Sequence, residues 1–112
     1  MNDIELGWLA GIFEGEGCLS LRRDHRRPGR RYWHARVAMS DQDVIRRLHE
    51  VAGIGTMYGP HYRQDRPGNK PMWEWRVGRQ EDVVNLCALL ISHMGERRAE
   101  KMSKCIEDME NS

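Results

Sequence analysis

Length and composition limit this protein to one domain with one hydrophobic core, because the chain has 112 residues, of which 39% are hydrophobic and 31% charged. No window approaches the ~20 consecutive apolar residues of a membrane span, and the N-terminal MNDIELGW lacks the basic-then-apolar order of a signal peptide. We therefore expect no membrane association and an intracellular, cytoplasmic location. Cys18, Cys87 and Cys105 are too far apart to indicate a disulfide framework or a CxxC metal site.

The net charge of +1 conceals an uneven distribution along the chain. Residues 1–17 contain four acids and no Lys or Arg, whereas residues 22–36 contain seven arginines against Asp24 alone, a net of +6. Such a block is typical of proteins that bind phosphate groups. A solvated surface loop is the alternative explanation for the block taken by itself.

The first half of the chain predicts a helix followed by a pair of strands. Residues 4–14 are mostly apolar with acids near the start, which indicates a helix, and Gly15 and Gly17 are expected to break it. Residues 18–24 and 31–40 alternate between apolar and polar side chains, which is the period of a half-buried strand. The intervening DHRRPG is expected to form a turn or a loop.

The second half repeats this order and adds a helix. The predicted elements are a helix from Ser40 or Asp41 to about Ala52, strands over 54–63 and 71–78 joined by the turn-rich QDRPGNK, an apolar helix over 80–93 and a charged helix over 96–110. The resulting α-β-β-α-β-β-α-α order predicts one α+β domain over residues 1–112. Its antiparallel hairpins are expected on one face and its helices on the other.

A strip of small residues lies along the predicted first helix, formed by Gly7, Gly11 and Gly15 with Ala10 beside them. Glycine costs about 1 kcal/mol relative to alanine inside a helix, so three at a spacing of four indicate that another backbone approaches closely. The partner is either another helix of the same chain or the same helix of a second copy, and the second copy explains the strip better. A twofold axis would bring the carboxylates of Glu14 and Glu16 to converging helix ends, where a divalent metal would offset their charge.

Residues 8–17, WLAGIFEGEG, resemble the motif of the LAGLIDADG homing endonuclease family. In that motif Leu9, Ala10 and Gly11 match outright, Ile12 and Phe13 fill the two apolar positions, Glu14 and Glu16 occupy the acidic positions, Gly15 the small one and Gly17 the closing glycine. The α-β-β-α-β-β-α order of the family agrees with the order predicted from periodicity. The resemblance therefore extends over essentially the whole chain.

This resemblance implies a homodimer and a nucleic-acid partner. Family members with one motif pair their motif helices along the twofold axis, here through Gly7, Ala10, Gly11, Glu14 and Gly15. Their hairpins form a saddle in the major groove of a long, pseudo-palindromic double-stranded DNA target. The cofactor implied is Mg²⁺, with Glu16 and the adjacent Gly15 as metal ligands where the phosphodiester bond is hydrolysed. Glu14 is expected to support the helix end.

The polar and basic residues that surround the metals are less fixed in the family. Asp41 is nearest in register to a position after the second strand that is often Gln, and a helix N-cap is the alternative role for it. No Lys stands at the position expected after the fourth strand, where Gly95 is closest in register. Arg97 and Arg98 are therefore the catalytic candidates for stabilising charge on the phosphate. Lys101 is a further candidate.

Strand alternation places polar side chains on the sheet face opposite the helices. The residues expected to contact DNA bases there are Ser20, Arg22, Asp24, Tyr32, His34, Arg36, Glu74 and Arg76, with Tyr58 and His61 contributing from the third strand. Arginine pairs with guanine edges, and a carboxylate accepts from the cytosine amino group. The loop arginines Arg26, Arg27, Arg30 and Arg31 are expected to contact phosphates.

Three functions are compatible with these features. The first is a homodimeric, Mg²⁺-dependent, site-specific DNA endonuclease, which the acid at Glu16 favours. The second is a LAGLIDADG-like module that binds DNA or intron RNA without cutting, as a maturase or regulator, which Asp41 and the missing Lys favour. The third is a small α+β interaction protein with an arginine-rich loop, which requires the ten-residue match to be accidental.

Overall fold

The computed structural model describes residues 1–62, 68 and 70–111, and its elements follow the predicted order. The helices are α1 (Asp3–Glu16), α2 (Gln42–Ala52), α3 (Gln80–Leu90) and α4 (Glu96–Glu110), with a 3-10 turn at Ile91–His93 between the last two. The strands are β1 (Gly17–Arg23), β2 (Arg31–Met39), β3 (Thr56–His61) and β4 (Met72–Val77). The predicted α+β fold is confirmed. Most of the turn predicted over 64–70 lies outside the described residues.

The four strands form one antiparallel sheet in the order β1-β2-β4-β3, with the helices packed on one of its faces. Alternate strand residues, Leu19, Trp33, Ala35, Val37, Trp75 and Val77, join the core with Leu9, Phe13, Ile45, Leu48, Val83 and Leu86 of the helices. The prediction that Trp33, Ala35 and Val37 face the core is thus confirmed. Their neighbours in sequence face the other side, as the period of two requires.

Helix α1 is longer than the predicted 4–14 at both ends. Asn2 caps its start, because the Asn2 side chain accepts from the Glu5 backbone N–H while the Glu5 carboxylate accepts from the Asn2 N–H. The prediction that Gly15 breaks the helix is wrong: α1 continues through Glu16, and β1 begins directly at Gly17. A Cβ at Gly17 would lie 2.6 Å from Cγ of Phe13, so only glycine fits this junction.

Side chains of the helices fasten β2 beyond the point where its pairing with β4 ends. The Gln80 amide accepts from the Trp33 backbone N–H at 2.8 Å and donates to the Trp33 carbonyl at 2.7 Å, so it takes the place of a missing strand residue. The Trp33 indole donates to Asp108 of α4 at 2.9 Å. These bonds hold the outer part of the β1–β2 hairpin against the helix layer. No helix in the described part of the chain is long and apolar enough to cross a membrane.

Candidate nucleic-acid interface and metal site

The glycine face of α1, formed by Gly7, Gly11 and Gly15, is exposed. A Cβ built at any of the three would meet nothing within 4 Å, so no other helix among the described residues packs on this face. The alternative of an intrachain partner is therefore wrong. Ala10, which the sequence places beside the glycines, is only 5% exposed and belongs to the core. Each residue advances by about 100° round an α-helix, so Ala10 lies about 60° from Gly7 on the side that faces the core.

The two acids at the end of α1 differ in their surroundings. The Glu14 carboxylate lies at the start of α4, where Arg98 Nε is 3.5 Å from its Oε2 and a Cβ at Gly95 would be 2.9 Å from its Oε1. Glu14 therefore joins α1 to α4, and the Gly95 position has no room for a side chain as Glu14 now lies. Glu16 is exposed, and no ion pair joins it to another described residue. Its carboxylate is the one available at this end of α1.

Basic side chains of α4 surround the junction between α1 and β1. A pocket of about 110 Å³ is lined by Phe13, Gly17, Cys18, Leu19, Arg97, Arg98, Lys101 and Met102. Arg98 donates to the Gly17 carbonyl at 2.5 Å, and its side chain is 19% exposed. Arg97 and Lys101 are exposed beside it. The structure thus brings the three basic candidates to the residue that follows Glu16, with Arg98 already bonded and the other two accessible.

Asp41 occupies the N-cap position of α2, as the alternative interpretation holds, but its side chain makes no capping hydrogen bond. The β1–β2 register pairs Val37 with Gly17, so Asp41 follows β2 at the same end of the sheet as the end of α1. The residue is exposed. Its carboxylate is therefore not committed to the helix start, although the structure records no contact that joins it to Glu16.

The described oxygen ligands at this end of the sheet are of the kind that a hard divalent cation prefers, but they are too few to hold one. Glu16 supplies a carboxylate, the last turn of α1 ends in carbonyl oxygens, and that turn contains no basic residue. Such oxygens are the ligands that Mg²⁺ prefers, in a shell that is close to octahedral. Among the residues described, no group of three or more His, Cys, Asp or Glu is arranged to hold a metal ion. The described residues of one copy therefore present oxygen donors of a suitable kind without a complete set of ligands.

The sheet face opposite the helices carries the predicted base-contacting side chains. Ser20, Arg22, Tyr32 and Arg36 are partly exposed on β1 and β2, and Arg76 on β4, while Tyr58 and His61 are exposed on β3. A bulge between Tyr58 and His61 restores His61 to the face of Tyr58, because Tyr58 pairs with Glu74 and His61 with Met72. All these side chains therefore share one surface. Two further members of it, His34 and Glu74, are buried at 7% and 8% exposure.

Two arginines bond to the buried carboxylate of Glu74 from both sides. Its Oε1 accepts from Arg36 Nη1 at 3.2 Å, and its Oε2 accepts from Arg76 Nε at 2.7 Å and also from Arg76 Nη2. His61 Nε2 lies 3.6 Å from Oε2. The Arg76 guanidinium also stacks on the Tyr58 ring, 4.6 Å from its centroid. We call these five residues, Arg36, Tyr58, His61, Glu74 and Arg76, the Glu74 cluster.

His34 lies in a gap in the same face. The register continues from Ala35 opposite Val77 so that Gly78, which has no side chain, lies beside His34. Burial lowers the pKa of His34, and the guanidinium groups of Arg22, Arg76 and Arg36 lower it further. Its Nδ1 is buried without a hydrogen-bond partner among the described residues. His34 lies at the side of a concavity of about 470 Å³ that Arg22, Arg76 and Arg79 also line.

The β1–β2 loop presents its arginines differently. Asp24, predicted to contact a base, lies just after β1, where its carboxylate accepts from the Arg26 backbone N–H at 3.0 Å and shapes the loop. Backbone bonds close the loop, with Asp24 N–H donating to the Arg30 carbonyl at 2.9 Å. Of the four arginines predicted to contact phosphates, Arg26, Arg27 and Arg30 lie in the loop, whereas Arg31 begins β2 and pairs with Arg23. All four are exposed, and none forms an ion pair with any residue that the structure describes.

The fold closely matches solved structures of nucleases bound to DNA. The homing endonuclease I-CvuI in complex with its target, in the presence of 2 mM Ca, superposes with a TM-score of 0.74 at 15% identity, over 93% of this chain and 64% of that one. The group I intron-encoded homing endonuclease I-CeuI complexed with DNA gives 0.72 at 14% identity, over 98% of this chain and 57% of that one. The LAGLIDADG meganuclease I-AabMI bound to uncleaved DNA gives 0.72 at 14% identity, over 99% of this chain and 38% of that one. This is the LAGLIDADG endonuclease fold.

The likeness covers nearly all of this chain but less than two thirds of the I-CvuI chain. I-CvuI has also been solved with DNA in the presence of 2 mM Mg, in a complex where the DNA is not cleaved. No protein-family model matches the sequence, and no curated protein matches it either. The structural likeness therefore establishes the fold.

Within the LAGLIDADG fold, sequence reasoning missed two arrangements. The first is the Glu74 cluster, whose members come from three strands. The spacing of Glu74 and Arg76 shows that they share a face, but Arg36 joins them only because β4 pairs with β2 rather than with β3 alone. The second is the bond network of Arg98 with Glu14 and Gly17, which depends on where α4 returns to α1. Neither arrangement has a local signal in the sequence.

Proposed function

We propose that this chain is one subunit of a homodimeric, Mg²⁺-dependent, site-specific double-strand DNA endonuclease. The observation that carries the proposal is the end of α1, where a glycine face open to a second backbone leads directly to an accessible acid, Glu16. A close pair of α1 helices would bring two such acids together. The known DNA complexes of the same fold add support.

Glu16 and the adjacent Gly15 carbonyl would hold Mg²⁺ together with the second copy and the phosphates of DNA. Bound divalent metal supplies charge stabilisation for both the attacking and the leaving oxygen of a phosphodiester displacement. Glu14 would not share this task, because its carboxylate is paired with Arg98. Its part is to keep the end of α1 seated against α4, and thereby to hold Glu16 in position.

Accessible basic side chains would complete the site. Arg97 and Lys101 line the pocket beside Gly17, so either can place positive charge near a phosphate bound at Glu16. Arg98 would act as a positioning residue through its bond to the Gly17 carbonyl. Asp41, with a carboxylate free of helix capping, would orient water at the same end of the sheet.

The sheet face and the β1–β2 loop would divide DNA binding between them. The partly exposed arginines and tyrosines of the face are suited to base edges in the major groove. The exposed arginines of the loop are suited to the phosphate backbone. A twofold pair of these surfaces would recognise a long pseudo-palindromic site.

The test is cleavage of a randomised DNA library in Mg²⁺, with sequencing of the cut ends. We expect the wild type to cut a limited set of related sequences and Glu16→Gln to cut none, while it binds the same DNA at least as tightly. In Ca²⁺, a larger ion with looser coordination, the wild type should bind without cutting. The control is Glu50→Gln, which removes an exposed acid from α2 and should leave cleavage unchanged. Cleavage by Glu16→Gln at the wild-type rate would refute the proposed mechanism.

A second candidate is a module that binds DNA or intron RNA without cutting. The observation that favours it is the use of Arg98 for structural bonds, together with a closely approached glycine at Gly95 where the family often has Lys. Sequence-selective binding in both Mg²⁺ and Ca²⁺, with no cut ends recovered from the library, would favour this module. Competition between duplex DNA and a structured RNA would then identify the nucleic acid.

A further inference from the structure

Glu74 occupies the middle of the surface that DNA would cover. It pairs across the sheet with Ala38 on β2 and Tyr58 on β3, on the face away from the helices. An acid at this position would ordinarily be exposed, yet its exposure is 8%. Among the described residues, Arg36 and Arg76 bond to it, and the described helices pack on the opposite face of the sheet. The Glu74 cluster therefore contributes to the burial of this acid.

Both carboxylate oxygens are occupied by guanidinium groups. Oε1 accepts from Arg36 at 3.2 Å, and Oε2 accepts from Arg76 Nε at 2.7 Å. A cytosine amino group could reach Glu74 only after one of these charge-assisted bonds had broken. Glu74 is thus badly placed to contact a base, whereas the remaining N–H groups of Arg36 and Arg76 stay available, since the two side chains are 42% and 38% exposed.

The charges of the cluster largely offset one another. Two guanidinium groups and one carboxylate leave a net of +1, with His61 adding to this only when it is protonated. Exposed arginines neutralise phosphates of any sequence, and each such contact adds to the salt dependence of binding. An arginine that is already paired with a carboxylate gains less binding free energy from a contact with a phosphate. It retains its directional hydrogen bonds, which are what distinguish one base from another.

The cluster also restrains the two arginines. Arg76 is held from two directions, by Glu74 and by the Tyr58 ring, and Arg36 is held by Glu74 from the neighbouring strand. A side chain that is ordered before binding loses less conformational freedom when the complex forms. The arginines are therefore presented in a fixed arrangement set by one acid.

We propose that Glu74 is a positioning residue that contacts no DNA but sets Arg36 and Arg76 for base recognition and suppresses their attraction to phosphates. This inference rests on the proposed binding of DNA by the sheet face. It predicts an unusual result, namely that removing one acid tightens binding to DNA of any sequence while it weakens discrimination. Ordinary loss of a base contact would weaken binding to the preferred site and leave non-specific binding unchanged.

The test compares Glu74→Gln with the wild type on two duplexes, the site selected by the wild type from a random library and an unrelated sequence of equal length. Binding is measured in Ca²⁺ over a series of salt concentrations. We expect Glu74→Gln to bind the unrelated duplex several-fold more tightly at low salt, with a slope of log K against log salt steeper by about one. The ratio between the two duplexes should fall by about tenfold or more.

Two further variants separate charge from position. Glu74→Asp keeps the charge but shortens the reach, so the salt slope should stay at the wild-type value while discrimination falls. Glu81→Gln is the matched control for charge, because Glu81 pairs with Arg79 at 3.3 Å on an exposed surface, with its side chain 69% exposed. It should leave discrimination unchanged. Thermal unfolding of each variant checks that it is folded. If Glu74→Gln does not fold, the comparison between Glu74→Asp and the wild type serves as the test.

The outcomes distinguish this inference from the function on which it rests. Equal changes in Glu74→Gln and Glu81→Gln would overturn it and leave only an effect of net charge. Weaker binding of Glu74→Gln to the selected site alone, at an unchanged slope, would overturn it in favour of direct contact between Glu74 and a base. In both cases DNA binding by the wild type would stand. Failure of the wild type to bind any duplex would overturn the proposed function and this inference together.

Discussion

Helix α1 and the sheet each leave one face without cover from the rest of the described chain, and the two faces are built in opposite ways. The face of α1 consists of three glycines, beside which a Cβ would meet only open space. The face of the sheet consists of long polar side chains that contact one another across three strands. The first face lacks side chains, and the second is crowded with them.

This difference corresponds to two kinds of partner. A face without side chains admits another helix backbone at close range and offers nothing to a polar ligand. A face of paired arginines and an acid offers hydrogen bonds with defined directions, and such bonds suit base edges rather than an apolar surface. Under the proposed function, this contrast favours self-association for α1 and nucleic-acid recognition for the sheet. Each assignment can be tested separately by substitutions on one face.

The largest effect is expected from Gly11→Leu on the glycine face. Each copy would bring one bulky side chain into the dimer contact, and overpacking of this kind costs about 1–3 kcal/mol per copy. The single chain should remain folded, because Gly11 is exposed with space around it and leucine is about 1 kcal/mol better than glycine inside a helix. Light scattering at micromolar concentration should show a monomer where the wild type shows a mass near twice 13.1 kDa.

The control for this prediction is Ala88→Leu, which adds the same side chain to an exposed position of α3 and should leave the dimer intact. A wild type that is itself monomeric would remove the assignment of α1 to self-association. Unfolding of Gly11→Leu would contradict the open space around Gly11. Thermal unfolding measured beside light scattering separates the two results.

A smaller effect is expected from Arg36→Ala on the sheet face. Loss of a bidentate donor should reduce discrimination at defined base positions by about 1–3 kcal/mol. Removal of this arginine also frees Oε1 of Glu74, whose side chain is 11% exposed, so folding stability should fall as well. Selection from a random library measures the first effect and denaturant unfolding the second. Arg46→Ala, which removes an exposed arginine from α2 in the helix layer, is the control and should leave discrimination unchanged.

An equal loss of affinity for all sequences in Arg36→Ala would contradict base recognition by this residue. It would assign Arg36 to the phosphates, together with the arginines of the loop. The contrast between a directional sheet face and a purely electrostatic loop would then disappear.

How far sequence reasoning reached also differs between the two faces. The glycine face was predictable, because spacing within one helix determines which residues share a side. Only Ala10 was placed wrongly, since the spacing does not show how far the core extends round α1. The order of elements and the α+β fold were predictable from periodicity, and the extent of α1 past Gly15 was not, because that depends on packing at Gly17.

The sheet face was predictable only as a set of residues on one side. Which of them touch depends on strand order and register, and the β2–β4 contact joins strands that are not consecutive. Period two therefore assigns Glu74 to the correct face but gives no sign that Arg36 and Arg76 both bond to it. Asp24 was expected among the base contacts, whereas its bond to the Arg26 N–H is a local turn that follows the end of β1.

A modest effect is expected from the protonation of His34. Its pKa is lowered from 6.5 in the folded chain, chiefly by burial and then by Arg22, Arg76 and Arg36, with Glu74 opposing them. Between the unfolded pKa of 6.5 and the lower folded pKa, the unfolded chain therefore binds more protons at this group than the folded chain does. The stability contributed by this group is constant above that pH and falls as the pH decreases towards the folded pKa.

Urea unfolding of the wild type and of His34→Gln at pH values on both sides of 6.5 measures this contribution. The difference in unfolding free energy between the two proteins should shift in favour of His34→Gln as the pH falls. His25→Gln, which changes an exposed histidine in the β1–β2 loop, should show no such trend against the wild type. A constant difference over the whole range would mean that His34 takes up its proton as readily in the folded chain.

The smallest effect is expected from Arg30→Ala in the β1–β2 loop. This variant tests whether base recognition ends with the strands or continues into the loop. The bonds that Arg30 makes within the loop come from its backbone, through its carbonyl to Asp24 and its N–H to Arg27, so alanine should preserve the loop. The side chain is exposed and unpaired within the described chain, so its loss should remove about one phosphate contact and flatten the salt slope by about one. Affinity should fall by a similar factor for every duplex, with the selected sequence unchanged.

Lys104→Ala, which removes an exposed positive charge from α4 in the helix layer, should leave the slope unaltered. An altered base preference in Arg30→Ala would extend base recognition into the loop, and the division between a directional strand surface and an electrostatic loop would have to be withdrawn.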